Sequence, residues 1–210
     1  SESACYPAKI VHGHIMNLIS KGVKTIFYPC IMYEKKEFKK ADNNYNCPIV
    51  TSYSEAIKLN VLDLKHENVK FLNPFLPLED DKLCDVLYKL DEFKEFNFTK
   101  KELKNAIKLA SMEMNNFRTD IINKGKEFLE YIEKHDINAI VLAGRPYHLD
   151  KEINHGIDTL INSLGLAILT EDSICYDASE MKLRVVDQWS YHSRVYRACD
   201  VVSKNPRLEL

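Results

Sequence analysis

AIVLAGRPYHLDKEINHGIDTLINSLGLAILTED, residues 139–172, decides the class of fold. AIVL is a short apolar run that leads into a loop holding one glycine, which reads as a buried strand and the turn after it. EINHGIDTLINSLG, 152–165, has helical spacing and a glycine stop, and LAILTED, 166–172, is a second strand. Strand, helix and strand in alternation predict a parallel sheet covered by helices.

Upstream the alternation repeats. Ile10–Ser20 reads as a helix closed by Lys21-Gly22, with Gly22 at the position just past the cap. VKTIFYP, 23–29, is a strand that ends at Pro29-Cys30. EKKEFKKADNNYN, 34–46, is polar and charged and reads as a solvated loop or a short irregular helix. CPIVTSY, 47–53, is a strand candidate, followed by a helix from Ser54 to Leu64, and VKFLNPFLPL, 69–78, is a further strand ended by prolines. From Ser179 to Val202 the pattern is mostly helical.

Between these two sets lies Phe98–Asp136. Thr99 with Glu102 makes a capping-box pattern, and Leu103, Ile107, Ala110, Met114, Phe117 and Ile121 recur at steps of four and three. That is one apolar stripe on a long helix, or on two helices joined near Gly125. It serves packing between lobes or, in a homodimer, an interface. The expected architecture is therefore α/β, with two Rossmann-like or flavodoxin-like lobes whose parallel sheets are flanked by helices. The division is 1–98, a helical linker 99–117, and a second lobe 118–210.

The chain has 210 residues, 29 Lys and Arg against 31 Asp and Glu, and a net charge of -2. That balance calls for neither nucleic acid nor an anionic membrane, and no apolar run reaches spanning length. SESACYPAKIV lacks the head and apolar core of a signal peptide, so a cytoplasmic setting is expected. It also opens without Met, as a piece cut from a longer chain would.

Six cysteines, at 5, 30, 47, 84, 175 and 199, form no CxxC pair. Cys84 and Cys199 fall on apolar helix faces and read as buried thiols. Ligands of parallel sheets gather beyond the carboxyl ends of the strands, where Cys30, Tyr53, Pro74, Gly144–His148 and Asp172 fall. Cys5 sits before a helix, where backbone N–H groups favour a thiolate. Cys5, Cys30 and Cys47 could converge through the fold as thiolate ligands of an iron–sulfur cluster, or remain three half-buried thiols. His12 and His14, two apart on a helix, point in different directions. GRPYH has neither a GK[ST] ending nor a second glycine, so it is no nucleotide fingerprint. Arg145 suits a phosphate or carboxylate, while His148 and His155 could supply a proton or a hydrogen bond. Tyr191, His192 and Arg194, in SYHSR, form a polar cluster on a helix. Neither GxSxG nor HExxH occurs, so a hydrolase is not supported.

Taken together, ACYPAKIVHGHI, IFYPC, DNNYNCPIVTSY, VLAGRPYHLDKEINHGIDTLINSLGLAILTED and WSYHSR resemble the large bacterial proteins related to activators of 2-hydroxyacyl-CoA dehydratases. The likeness is to the non-ATPase portion of those proteins, itself similar to the iron–sulfur dehydratase component, and it covers nearly the whole chain. It implies a 4Fe–4S cluster on Cys5, Cys30 and Cys47, an ATPase activator part in the same full-length chain, and an acyl-CoA substrate. It also implies that the family continues past Leu210 with another cysteine, so the cluster could be absent from this piece alone.

Two functional classes follow. One is an iron–sulfur electron-transfer or dehydratase-like module, with Arg145, His148 and His155 as catalytic candidates. The other is a non-catalytic docking or scaffold domain in which the stripe packs against a partner. A small-molecule transferase using Arg145 and His148 would require an anion at that loop.

Overall fold

Two short parallel sheets organise the chain, each flanked by helices, in a computed structural model that describes residues 5–178 and 182–210. The chain divides into one unit of residues 1–35 and 45–109 and another of 36–44 and 110–210.

The first unit begins with α1 (Tyr6–Ser20), whose N-cap is Cys5. Pro7 fits the first turn because its missing N–H would have no helical partner there. Gly22, at φ 77°, closes the helix, and the Val23 N–H reaches the Leu18 carbonyl at 3.1 Å. β1 (Thr25–Phe27) pairs in parallel with β2 (Lys70–Leu72), Ile26 opposite Phe71. The ladder runs on past the strand ends, through Tyr28 N–H to Leu72 O at 2.8 Å and Cys30 N–H to Pro74 O at 2.9 Å. α2 (Pro48–Asn60) and the short α3 (Asp63–His66) connect the two strands. Their core joins Ile15, Ile26, Ile57, Val61 and Leu64, with Tyr28, Tyr53 and Phe71 packed around it. After β2 come α4 (Asp80–Lys89), which buries Cys84, and a 3-10 turn.

CPIVTSY is not a strand. Val50, Thr51 and Tyr53 have high strand propensity, but Cys47 is the N-cap of α2 and Pro48 its first residue, so the segment is helical from its second residue. Cys5-Tyr6-Pro7 and Cys47-Pro48 are therefore two versions of one device, a cysteine N-cap with proline in the first turn.

The long helix α5 (Lys100–His135) is continuous through Gly125. Its capping box forms as expected: Glu102 N–H donates to Thr99 Oγ1 at 3.2 Å, and Thr99 N–H to Glu102 Oε2 at 2.8 Å. At its other end Asp136 takes φ 56°, and the Ile137 N–H bonds the Ile132 carbonyl at 3.0 Å.

In the second unit, β3 (Ala139–Leu142) lies between β4 (Ala167–Thr170) and β5 (Leu208–Glu209), all parallel. α6 (Ile157–Ser163) links β3 to β4, while α7 (Glu171–Ile174) and α8 (Ser190–Val202) lead on to β5. The core gathers Ile132, Ala139, Val141, Leu169, Ile174, Cys175, Ala198 and Leu208. α6 is shorter than its sequence pattern, because His155 at φ 54° and Gly156 at φ 80° hold the chain out of the right-handed helix until Ile157. α8 begins only at Ser190: residues 182–189 are not helical, and 179–181 lie outside the described residues.

The segment 34–46 is not a solvated loop throughout. Residues 36–44 belong to the second unit, and Phe38 packs against its core. Among the described residues no helix is long and apolar enough to cross a membrane.

Gly125 marks a close approach of α5 to α7. A Cβ there would stand 2.3 Å from the Ser173 carbonyl oxygen, a contact no side chain can make. Gly125→Ala is therefore expected to lower stability by about 1–3 kcal/mol. Gly13 lies inside α1 with open space around it, and Gly13→Ala should raise stability by about 1 kcal/mol. Denaturant unfolding of both variants checks the pair. Equal effects would show that the approach of α5 to α7 is not the constraint.

Candidate functional site

The three cysteines with ligand potential all lie in the first unit. Cys5 and Cys47 cap α1 and α2, each half-buried, and Cys30 lies fully buried just beyond β1. All three bear on Tyr28. Burial pushes its phenol up, and the charges of Cys30, Tyr53, Cys47 and Cys5 add to the rise. His12 Nε2 sits 3.1 Å from the Tyr53 hydroxyl.

Sharing a neighbourhood is not the same as forming a ligand set. The Cys30 thiol is engaged with Ser54 Oγ at 2.9 Å, inside the core. Among the described residues no group of three His, Cys, Asp or Glu side chains could hold a metal ion. The iron–sulfur reading of Cys5, Cys30 and Cys47, and with it the 4Fe–4S electron-transfer module, is therefore overturned for this chain. What the described residues show there is two cysteine N-caps, and a buried Cys30 thiol bonded to Ser54.

The second unit contains a denser polar construction that composition concealed. Glu37, in the segment read as solvated, is buried against α8 and α5. Its Oε2 accepts from Arg194 Nε at 2.8 Å and from the Tyr176 hydroxyl at 3.1 Å. Its Oε1 accepts from Arg194 Nη2 at 2.5 Å, with Arg118 Nη2 at 3.0 Å. Burial alone would raise this carboxyl, but the bonds and charge of Arg194, with Arg118 and Tyr176, hold it below the ordinary glutamate value. The Tyr176 phenol is pushed up, mainly by burial and then by the Glu37 charge.

The next residues of the segment continue the attachment. Phe38 lies under the Arg197 guanidinium at 4.0 Å and stacks on Tyr176 at 5.6 Å. Arg197 Nη1 donates to Asp187 Oδ2 at 2.9 Å, and the Ser193 hydroxyl donates to the other carboxylate oxygen. The backbone of Asp187 pairs with this segment twice, to Asp42 Oδ2 at 2.9 Å and from Asn43 N–H at 3.0 Å. Arg194 and Arg197 are three apart on α8, so they project from one face and meet Glu37 and Phe38 in order.

The sequence-derived candidates Arg145, His148 and His155 follow β3. Pro146–Leu149 form a 3-10 turn. In it the Arg145 N–H donates to His148 Nδ1 at 3.1 Å, so a neutral His148 carries its proton on Nε2. The Arg145 guanidinium rests over the Tyr191 ring at 5.4 Å, and Arg194 approaches the same ring at 5.3 Å. His148 and His155 are exposed, and His155 takes the left-handed conformation before α6.

Two groups at the end of β4 went unnoticed in the sequence. Glu171, only 3% exposed, has its carboxyl raised to about 7, mainly by burial and further by Asp172. Cys175 is fully buried, and burial pushes its thiol far above the ordinary range, which makes it inert as a nucleophile. A strand end with adjacent acids was the available signal for Glu171, but nothing local encodes its burial.

The model of the family described as CoA enzyme activase uncharacterised domain (DUF2229) matches residues 1–174, and the chain belongs to that family. No curated protein and no solved structure matches it.

Glu37 and Glu171 give opposite pH dependences. Glu37 is lowered from 4.5, so its contribution to stability is present above that value and lost as pH falls through its lower folded value. Glu171 is raised from 4.5 to about 7, so its contribution is present below 4.5 and lost as pH rises through about 7. Thermal melts from pH 4 to 8 should show Glu171→Gln gaining stability on wild type at the alkaline end. Glu37→Gln strands two arginines and should cost about 3–5 kcal/mol at pH 7. Parallel melting curves for wild type and Glu171→Gln would refute the burial of that charge.

Proposed function

We propose that this chain is a docking domain, without catalysis of its own, of a protein related to the activators of 2-hydroxyacyl-CoA dehydratases. Its occupant is the ATPase part of that system, carried in the same full-length chain. The two units are read as Rossmann-like or flavodoxin-like lobes serving as a scaffold, and acyl-CoA chemistry belongs to the enzyme that the system activates. Membership of the CoA enzyme activase domain family supports the setting. The chain carries no GK[ST] nucleotide loop, and this reading assigns the ATP-driven step to a second part.

One observation carries the reading. Midway along α5, Met114 and Phe117 are each more than half exposed to water. Ala110, Met114 and Phe117 continue the stripe that is covered at Ile107 and half-covered at Leu103 and Ile121. Apolar side chains at steps of four and three make a seam for another helix, and methionine adapts such a seam to its partner. The bare stretch is about two turns, well short of the roughly 800 Å² per partner of a standard interface. A weak contact of this kind suits a tethered partner, whose effective concentration is about millimolar. That favours an occupant in the same chain over a second copy.

Calorimetric titration of the 210-residue chain with the separately produced ATPase part tests the proposal. Met114→Glu/Phe117→Glu, at exposed positions, should keep the wild-type melting temperature and bind at least tenfold more weakly. Unchanged binding by the double variant would refute docking on α5. A concentration-dependent dimer of the chain, dissolved by the same variant, would identify a second copy as the occupant instead.

A further inference from the structure

The geometry points to a binding site for a phosphate or carboxylate group at the loop after β3, held by the Arg145 guanidinium. Topology selects this loop first. From β3 the chain crosses through α6 to β4 on one side, then returns through α8 to β5 on the other. Right-handed crossovers, the near-universal rule, place those two connections on opposite faces of the sheet. The carboxyl end of β3 is thus the topological switch point, where the loops separate and leave a crevice.

The side chains at that point are arranged for an anion. Arg145 is half-buried, yet among the described residues no carboxylate lies within ion-pair distance of it. The contrast with its neighbours is direct. Arg194 and Arg118 share Glu37, Arg197 has Asp187, and Arg207 has Asp136. A partly buried guanidinium that keeps its fork of donors for a ligand is the usual recognition element for phosphate and carboxylate. Tyr191 supports it from below, with the ring 5.4 Å from the guanidinium carbon.

The loop backbone is prepared in the same sense. His148 Nδ1 accepts the Arg145 N–H, which fixes the turn and leaves Nε2–H as a neutral donor at an exposed position. Gly144 makes this possible, since a Cβ there would come within 2.7 Å of His148 Nδ1. A side chain at 144 would push the imidazole off its place over the loop. His155 has no place in the site.

This inference does not depend on the docking role, and its test needs no protein partner. Sodium phosphate and sodium acetate are titrated into the 15N-labelled chain at constant ionic strength, with sodium chloride as the reference. Saturating shifts of the Gly144, Arg145, His148 and Tyr191 amides and of the Arg145 Nε–H are expected with at least one probe. Stronger binding of phosphate assigns a phosphate-bearing ligand, and stronger binding of acetate assigns a carboxylate. Arg145→Met should weaken binding at least tenfold, while Arg145→Lys, which keeps the charge but not the fork, should fall between the two. Shifts no different from chloride, or equal saturation in Arg145→Met, would overturn the site. If Arg145→Met loses the dispersed spectrum of the folded chain, the Arg145→Lys titration decides: affinity equal to wild type rejects the guanidinium as the binding group.

Discussion

The Glu37 carboxylate is the constraint on which the second unit depends. A charge taken out of water must be met by opposite charge and hydrogen bonds, and Glu37 has two arginines and a phenol. Those partners come from α5, α8 and the turn that follows α7, three places distant in sequence. One side chain therefore sets where residues 36–44 run, which face α8 presents, and where Tyr176 lies. Phe38 then brings apolar surface to the core beside a buried ion pair, with Arg197 stacked on its ring. Removing the segment would expose that surface and leave Arg194 and Arg118 without their counter-charge.

This construction explains what the sequence could and could not disclose. The α/β class, the parallel pairing, the capping box of α5 and the Gly22 stop rest on local rules, and each is present in the fold. Glu37 escaped because its neighbours Lys35, Lys36, Lys39 and Lys40 give the segment the composition of a solvated loop. Composition averages over positions, whereas burial is decided residue by residue. The matching signal was the spacing of Arg194 and Arg197 on α8, but nothing local names their partner. Pro48 misled in another way: preceding β-branched residues, it read as a strand start, when its place behind a capping cysteine repeats the arrangement at Pro7.

The cysteines show how close a motif can come to a site without being one. Cys5, Cys30 and Cys47 all add to the rise of the Tyr28 phenol, yet no group of three ligand side chains among the described residues could hold a metal ion. A ligand set also demands that sulfurs point to a common centre at bonding distance. Cys30 instead turns to Ser54, with its backbone N–H held in the ladder beside β2. A helix N-cap fixes where a cysteine backbone stands and leaves the direction of its sulfur to the neighbours. Spacing in sequence encodes the first of these and not the second.

The same distinction bears on the arginines of the second unit. Arg194 and Arg145 approach one tyrosine ring at nearly equal distance, so stacking alone does not separate them. Their counter-charges do. Arg194 is neutralised by a carboxylate that the fold delivers from a remote segment, and it is committed to holding that segment in place. Arg145 stands at the end of β3 with its backbone N–H bonded to His148, and among the described residues no carboxylate is delivered to it. Where a fold supplies an acid to one of two arginines on an aromatic face, that arginine is structural. The other would take its counter-charge from a ligand, which is what the proposed anion site requires of Arg145.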